Sequence, residues 1–306
     1  MSLIDAIRSA AQGRESFVVF RGPRGLPIRG LGSAVALETR GDSFAPVAAV
    51  LATLERRRAG RGFVAVAYGD GALIDAVRIG AGLFRGGIPV IVVATTLGAL
   101  LERATDGVAR RGTMTLDRAP LAVLFDERDF GRTARDGLAL LARNAVIEGH
   151  DLFESLETLA PHALGRWPWA SLGADALSVD RMHHDGERAV FALGAPFAQA
   201  IAATAGLRPQ PALALGLRAA ALAGRAVTGL PRADHLRLVT LLALLGYPLF
   251  DERIDPSAVL AALPPETRFV VPHAIGEVEA DVRIPRATLR RIVGRLASPP
   301  GAVEFR

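Results

Sequence analysis

Two segments of this 306-residue chain hold the residue types and spacings that do chemistry. The first is Tyr68–Gly69–Asp70–Gly71–Ala72–Leu73–Ile74–Asp75, directly after the apolar run Phe63–Ala67. The second is Gly87–Ile88–Pro89–Val90–Ile91–Val92–Val93–Ala94–Thr95–Thr96–Leu97. A Gly-x-Gly turn between a buried strand and a helix lets the backbone approach an anion. Unpaired N–H groups and the helix dipole favour negative charge there. Followed by a second buried strand that ends in two hydroxyl side chains, this is the architecture of a nucleotide site. Asp70 stands in the middle of the turn, and its carboxylate repels a pyrophosphate unless it is paired. A lone Gly-x-Gly is weak as a motif, since glycines after a strand often only make the turn.

Composition closes several other routes. The chain has no cysteine, which removes disulfides, thiolate nucleophiles and Cys-based metal sites. All 36 basic residues are arginine and none is lysine, so neither a Schiff base nor a lysine proton carrier exists. Arginine still clamps carboxylates and phosphates in bidentate fashion. Net charge is +5, with clusters at Arg56–Arg57–Arg58 and Arg290–Arg291. Aromatics are only 6% and no nucleic-acid module pattern appears, so these read as solvated helix faces and no nucleic-acid partner is expected. His183 and His184 lie side by side with Asp185, and neighbouring residues in a turn seldom converge on one ion. His273, after Pro272, reads as a surface or packing residue.

The elements that position these residues follow from periodicity. Phe17–Phe20 and Ile28–Leu37 read as short strands around the turn Gly22–Pro23–Arg24–Gly25, a hairpin. Ala45–Arg58 has helical spacing, with Val47, Val50, Leu51 and Leu54 on one face. Phe63–Ala67 and Ile88–Val93 are buried strands, Leu121–Phe125 is a third strand, and Gly71–Leu83 is the helix under the glycine turn. Strands alternating with helices predict a parallel sheet with ligands at the strand C-terminal ends. From about Arg132 the pattern turns helical: Arg135–Glu148, Leu152–Ala160, Ala192–Ala205, Ala212–Val227, Ala233–Leu245, Pro256–Ala262 and Pro285–Leu296. A hairpin of Arg268–Val271 with Glu277–Arg283 interrupts it. The expected architecture is α/β: a truncated Rossmann-like parallel-sheet domain over residues 1–131, then an all-α domain over 132–306. The chain is long for a single core, in keeping with two domains.

Mean hydropathy is +0.30, but the longest uncharged apolar run, Gly86–Leu101, is shorter than the ~20 residues a membrane span needs and contains Pro89. The first residues carry Asp5 inside their only apolar stretch, unlike a secretory signal. A cytoplasmic location with no membrane partner is the expectation.

The two chemistry-bearing segments, in this order, resemble the 3-dehydroquinate synthase family, part of the sugar-phosphate cyclase and iron-containing alcohol dehydrogenase-like fold. In that family the same segments hold NAD. Its three consecutive glycines appear here as Gly69–Asp70–Gly71, its following Asp is kept as Asp75, and its Gly-Phe is Arg78–Ile79. Its Arg-Gly turn is approximated by Arg85–Gly86–Gly87, its Pro-Thr-Thr-Leu becomes Ala94–Thr95–Thr96–Leu97, and its acidic residue is Glu102. Its next lysine has no counterpart; Arg110 and Arg111 lie nearby in shifted register. The resemblance makes Gly69, Gly71, Asp75, Thr95 and Thr96 a vestigial cofactor-binding set. The family also carries a full strand–helix–strand unit where this chain has only Leu31–Glu38, so one wall of the dinucleotide site is expected to be missing.

The likeness continues through most of the chain. Ala122–Asp126 matches the strand before the domain boundary, and Gly137–Arg143 matches the family's Gly-Leu-Ala-Glu-x-x-Lys helix. That zinc-binding Glu becomes Leu140, and the Lys becomes Arg143. Gly186–Ile201 matches the segment of Arg…Asn-x-Gly-His-x-x-x-His: the Arg is kept as Arg188, the Asn becomes Ala192, the metal-binding His becomes Ala195 and the second His Gln199. The third zinc ligand falls on Pro209. Catalytic zinc needs three protein donors, which Leu140, Ala195 and Pro209 do not supply. The resemblance therefore implies no metal site, with NAD and zinc both lost.

Arg188, Arg143, Glu102 and Gln199 are the candidates for any chemistry that remains. Three functions stand open. The first is a degenerate dehydroquinate-synthase-like protein acting as a regulatory or structural partner. The second is a repurposed, cofactor-independent lyase-, isomerase- or cyclase-type enzyme on an anionic carboxylated or phosphorylated small molecule. There Arg188 and Arg143 hold the anion and Glu102 or Asp75 is the acid or base. The third is a still-active cyclase or polyol dehydrogenase relative. A homodimer through the sheet domain is what the resemblance implies, with a heteromeric partner as the other arrangement.

Overall fold

The computed structural model describes residues 2–22, 30–32, 34–39, 41, 43–104, 108–182 and 188–299. The chain divides into two compact units: Met1–Gly137 with Trp169–Gly173, and Leu138–Pro168 with Ala174–Arg306.

The first unit is built on a five-stranded sheet, β2-β1-β3-β4-β7, in which every pairing is parallel. Its strands are β1 (Ser16–Arg21), β2 (Ala34–Ala36), β3 (Phe63–Gly69), β4 (Val90–Ala94) and β7 (Ala122–Phe125). Between β4 and β7 lies an antiparallel hairpin, β5 (Val108–Arg111) with β6 (Met114–Asp117). Its longer helices are α1 (Leu3–Ala10), α2 (Ala45–Arg56) and α3 (Gly71–Leu83). β4 is buried along its whole length and β3 at every residue but its first, as parallel strands covered on both faces should be. One face packs Val19, Val64, Val66, Ile91 and Val93 against Ile7 and Ala11 of the N-terminal segment. On α2 and α3, Val47, Ala76 and Ile79 close over Ala109 of β5.

The sequence-based hairpin at the start of this unit is corrected. β2 runs parallel to β1, with Val19 opposite Ala34 and Arg21 opposite Ala36. A parallel neighbour needs a connection of about a dozen residues rather than a tight turn, and Arg21 and Ala34 are that far apart in sequence. Of the predicted strand Ile28–Leu37, only Ala34–Ala36 is a strand; Ile28 and the turn residues Pro23–Gly25 lie outside the described residues. The chain leaves β1 toward β2 on one side and returns through α2 to β3 on the other. The topological switch point therefore lies at the paired C-terminal residues Arg21 and Tyr68.

The second unit is helical apart from the antiparallel pair β8 (Phe269–Ala274) and β9 (Glu277–Val282). Its helices include Leu138–Glu148, His150–Leu159, Ala195–Ala205, Pro209–Val227, Arg232–Leu244, Pro256–Ala262 and Arg286–Leu296. A further helix, Trp169–Met182, starts in the first unit and was not expected from periodicity. Gly194 and Gly216 bring two helices to backbone contact: a Cβ on Gly216 would stand 2.3 Å from the Gly194 carbonyl oxygen. Arg218 is wholly buried; its Nη1 donates to the Leu249 carbonyl and, at 3.0 Å, to that of Arg295. Among the described residues, no helix is long and apolar enough to cross a membrane.

Candidate functional site

In the first unit, the C-terminal ends of β3, β4 and β7 gather Gly69, Asp70, Gly71, Thr95, Thr96 and Asp126. The Thr95 N–H donates to the Gly69 carbonyl at 3.1 Å, and the Asp126 N–H to the Ala94 carbonyl at 2.9 Å. The glycine turn and the Thr-Thr pair are thus tied together. Asp70 has extended backbone (φ −79°, ψ 176°) and is the N-cap of α3, its Oδ1 accepting from the Leu73 N–H at 3.0 Å. The carboxylate satisfies one of the donors that a bound anion would otherwise use. Thr96 does the same for the helical turn Leu97–Ala99, its Oγ1 accepting from the Ala99 N–H at 3.1 Å.

The other residues singled out in this unit lie on α3, on the turn after β4 and on β5. Asp75 is buried one turn into α3, at 4% exposure, beside Arg78, which donates to the Arg118 carbonyl at 2.8 Å. Glu102 is exposed on the π-helical turn Leu100–Ala104. Arg111, one of the two shifted arginines, is buried and donates to the carbonyls of Ser43, Ala72, Thr39 and Gly41 at 2.7, 3.2, 3.3 and 2.8 Å. Its guanidinium staples β5 to the segment before α2 and to the first turn of α3.

A cluster that sequence reasoning did not single out lies beside the turn. The buried Tyr68 hydroxyl donates to Asp126 Oδ2 at 2.8 Å, and Arg128 Nε donates to the Asp126 oxygens at 2.8 and 3.0 Å. Burial and the Asp126 hydrogen bond push the Tyr68 phenol up to about 12. Burial would raise Asp126, but hydrogen bonds from Arg128 and Tyr68 outweigh it and hold the carboxyl below its usual range. The signal available in the sequence was an acid directly after an apolar strand, with an arginine two residues on.

In the second unit, Arg143 lies on the helix Leu138–Glu148 at 8% exposure. Its Nε and Nη2 donate to Asn144 Oδ1 at 3.2 and 3.0 Å, its Nη1 to the Phe191 carbonyl at 3.2 Å, and it stacks 5.4 Å from the Phe191 ring centroid. Arg188 begins the 3-10 turn Arg188–Ala192, and its side chain lies outside the described portion. Gln199 is exposed on the helix Ala195–Ala205. Leu140 is buried in its helix, Ala195 is half-buried, and Pro209 opens the helix Pro209–Val227. Among the described residues no group of three His, Asp or Glu side chains is placed to hold a metal ion; His183, His184 and Asp185 fall outside them.

A parallel sheet with a Gly-x-Gly turn at its switch-point edge, followed by a helical unit, defines an α/β protein of the Rossmann-like kind with a helical C-terminal part. No family model matches the chain. It is 28% identical over 268 residues to the 3-dehydroquinate synthase of Solibacter usitatus, covering 77% of this chain and 74% of that one. To the 3-dehydroquinate synthase of Gloeobacter violaceus it is 29% identical over 273 residues, covering 80% and 75%. Among solved structures, 2-epi-5-epi-valiolone synthase from Streptomyces hygroscopicus, with NAD+ and Zn2+ bound, superposes with a TM-score of 0.79 at 16% identity, covering 97% and 95%. A 2-deoxy-scyllo-inosose synthase complexed with carbaglucose-6-phosphate, NAD+ and Co2+ gives 0.76 at 16%, covering 95% and 94%. The chain is thus similar in sequence to 3-dehydroquinate synthases and shares its fold with sugar-phosphate cyclases.

Proposed function

We propose that this protein keeps the dehydroquinate-synthase scaffold without its zinc- and NAD-dependent cyclase chemistry, and acts as a non-catalytic regulatory or structural partner. The observation that carries this reading is the Asp70 cap: a carboxylate, bonded to the Leu73 N–H, sits where the pyrophosphate of a dinucleotide would need those donors. An anion entering the turn would meet a like charge and lose part of the helix N-terminus as partner. The short Ala34–Ala36 strand beside β1 supports the reading, because the corresponding wall is thin.

The residues present do not fit zinc either. Leu140, Ala195 and Pro209 offer no side-chain N or O donor at the positions the family uses. Arg143, the counterpart of a family lysine, has its guanidinium donors turned onto Asn144 and Phe191. Calorimetric titration of the full chain with NAD, with and without zinc, tests this together with a turnover assay on the dehydroquinate synthase substrate. Affinity weaker than about 1 mM and no turnover are expected. Micromolar NAD binding or measurable cyclisation would overturn the reading.

A further inference from the structure

The opposite edge of the same sheet carries a second concavity. At the N-terminal ends of β1 and β3, where Ser16 pairs with Phe63, lies a half-open recess of about 770 Å³. The strands are parallel, so this edge lies about 20 Å from the glycine turn along β3.

Three arginines from separate places in the chain line this cavity: Arg8 on α1, Arg14 after α1, and Arg57 at the C-cap of α2. Against them stands a single carboxylate, Glu15, among the described residues that line it. Arg8 Nη2 donates to the Gly30 carbonyl at 3.1 Å, and Arg14 Nη1 to the Ala11 carbonyl at 3.3 Å. A guanidinium has five N–H donors, so the backbone bonds of Arg8 and Arg14 orient those two forks without using all of their donors. Phe17 and Phe63 form an apolar share of the wall.

The geometry points to a binding site for a small phosphorylated molecule that also carries an apolar or aromatic body. The volume falls in the range that encloses small ligands, and a recess suits them better than an extended backbone. The planar guanidinium of an arginine can pair with two oxygens of a phosphate in bidentate fashion. The aromatic wall takes the body, and Glu15 accepts from a hydroxyl or amino group on it. The site holds whether or not the glycine turn takes a nucleotide.

Calorimetry on the full chain tests it with three probes: adenosine 5′-monophosphate, inorganic phosphate and a short DNA duplex. The nucleotide is expected to bind at about 1 mM or tighter, and roughly tenfold more tightly than inorganic phosphate. The double variant Arg14→Gln/Arg57→Gln should weaken it roughly tenfold or more, and Arg8→Gln, measured separately, in the same direction. Arg290→Gln, an exposed arginine of the other unit, should leave it unchanged. Unaltered affinity in the Arg14/Arg57 variant would overturn the assignment, as would equal affinity for inorganic phosphate, tighter binding of the duplex, or no binding of any probe.

Discussion

Asp70 Oδ1 accepts the Leu73 N–H at 3.0 Å, so the residue that breaks the glycine run is also the cap that starts α3. Asp70→Ala is expected to lower stability by about 1 kcal/mol, read from urea unfolding. Asp70→Asn keeps the acceptor and removes the charge, so its stability should stay within about 0.5 kcal/mol of the parent. The same variant should show NAD binding stronger than the parent, because the like charge is gone. Equal NAD heats for parent and Asp70→Asn would show that the carboxylate is not the barrier.

Arg111 answers four backbone carbonyls at once. Lysine keeps the charge but lacks the planar fork and has only three donors. Arg111→Lys should therefore leave at least one of these carbonyls without its side-chain donor and cost about 1–3 kcal/mol in a denaturant titration. Loss under about 0.5 kcal/mol would mean that water takes over those carbonyls.

The pH dependence of stability separates two members of the Tyr68–Asp126–Arg128 cluster. Tyr68 has a folded value raised to about 12, above the ordinary tyrosine value of about 10. Its contribution is whole below about 10 and is lost as pH rises through about 12. The chain has no lysine or cysteine and two tyrosines, so tyrosinate absorbance in this window isolates the effect unusually well. One tyrosine should ionise late, and Tyr68→Phe should remove that step and flatten the alkaline limb. Asp126 is shifted the other way: its contribution is present above the ordinary carboxylate value and is lost as pH falls through its lower folded value. Asp126→Asn should make the acid limb shallower in melts taken across that range.

Gly216 lies against the Gly194 carbonyl with no room for a Cβ. Gly216→Ala must push the helices Ala195–Ala205 and Pro209–Val227 apart. A cost of about 1–3 kcal/mol is expected despite alanine's better helix propensity, measured by thermal or urea unfolding. A stabilised variant would mean that the helices separate freely.

The apolar runs around Phe63, Ile88 and Leu121 are strands, the glycine turn opens a helix over Gly71–Leu83, and the Phe269–Val282 pair interrupts a helical second half. These were readable because burial and turn chemistry are local properties, written in the period of apolar residues and in Gly, Pro and Asp. The capping role of Asp70 was equally local, an Asx residue ahead of a helical stretch, although its charge drew more weight. The helix Trp169–Met182 and the hairpin that carries Arg111 were not readable. Their short or mixed apolar patterns carry no strong period, and they take shape by packing on other elements.

The sequence by itself determined the class of fold, the family likeness, and the absence of lysine and cysteine chemistry, because each is a property of residue types and their spacing. Only the tertiary structure decided that β2 runs parallel to β1, and that the Tyr68 hydroxyl and the Arg128 guanidinium both donate to Asp126. It alone brought Arg8, Arg14 and Arg57 around one cavity. Strand direction is set by how a crossover packs, and residues far apart in the chain meet only when the sheet between them is complete.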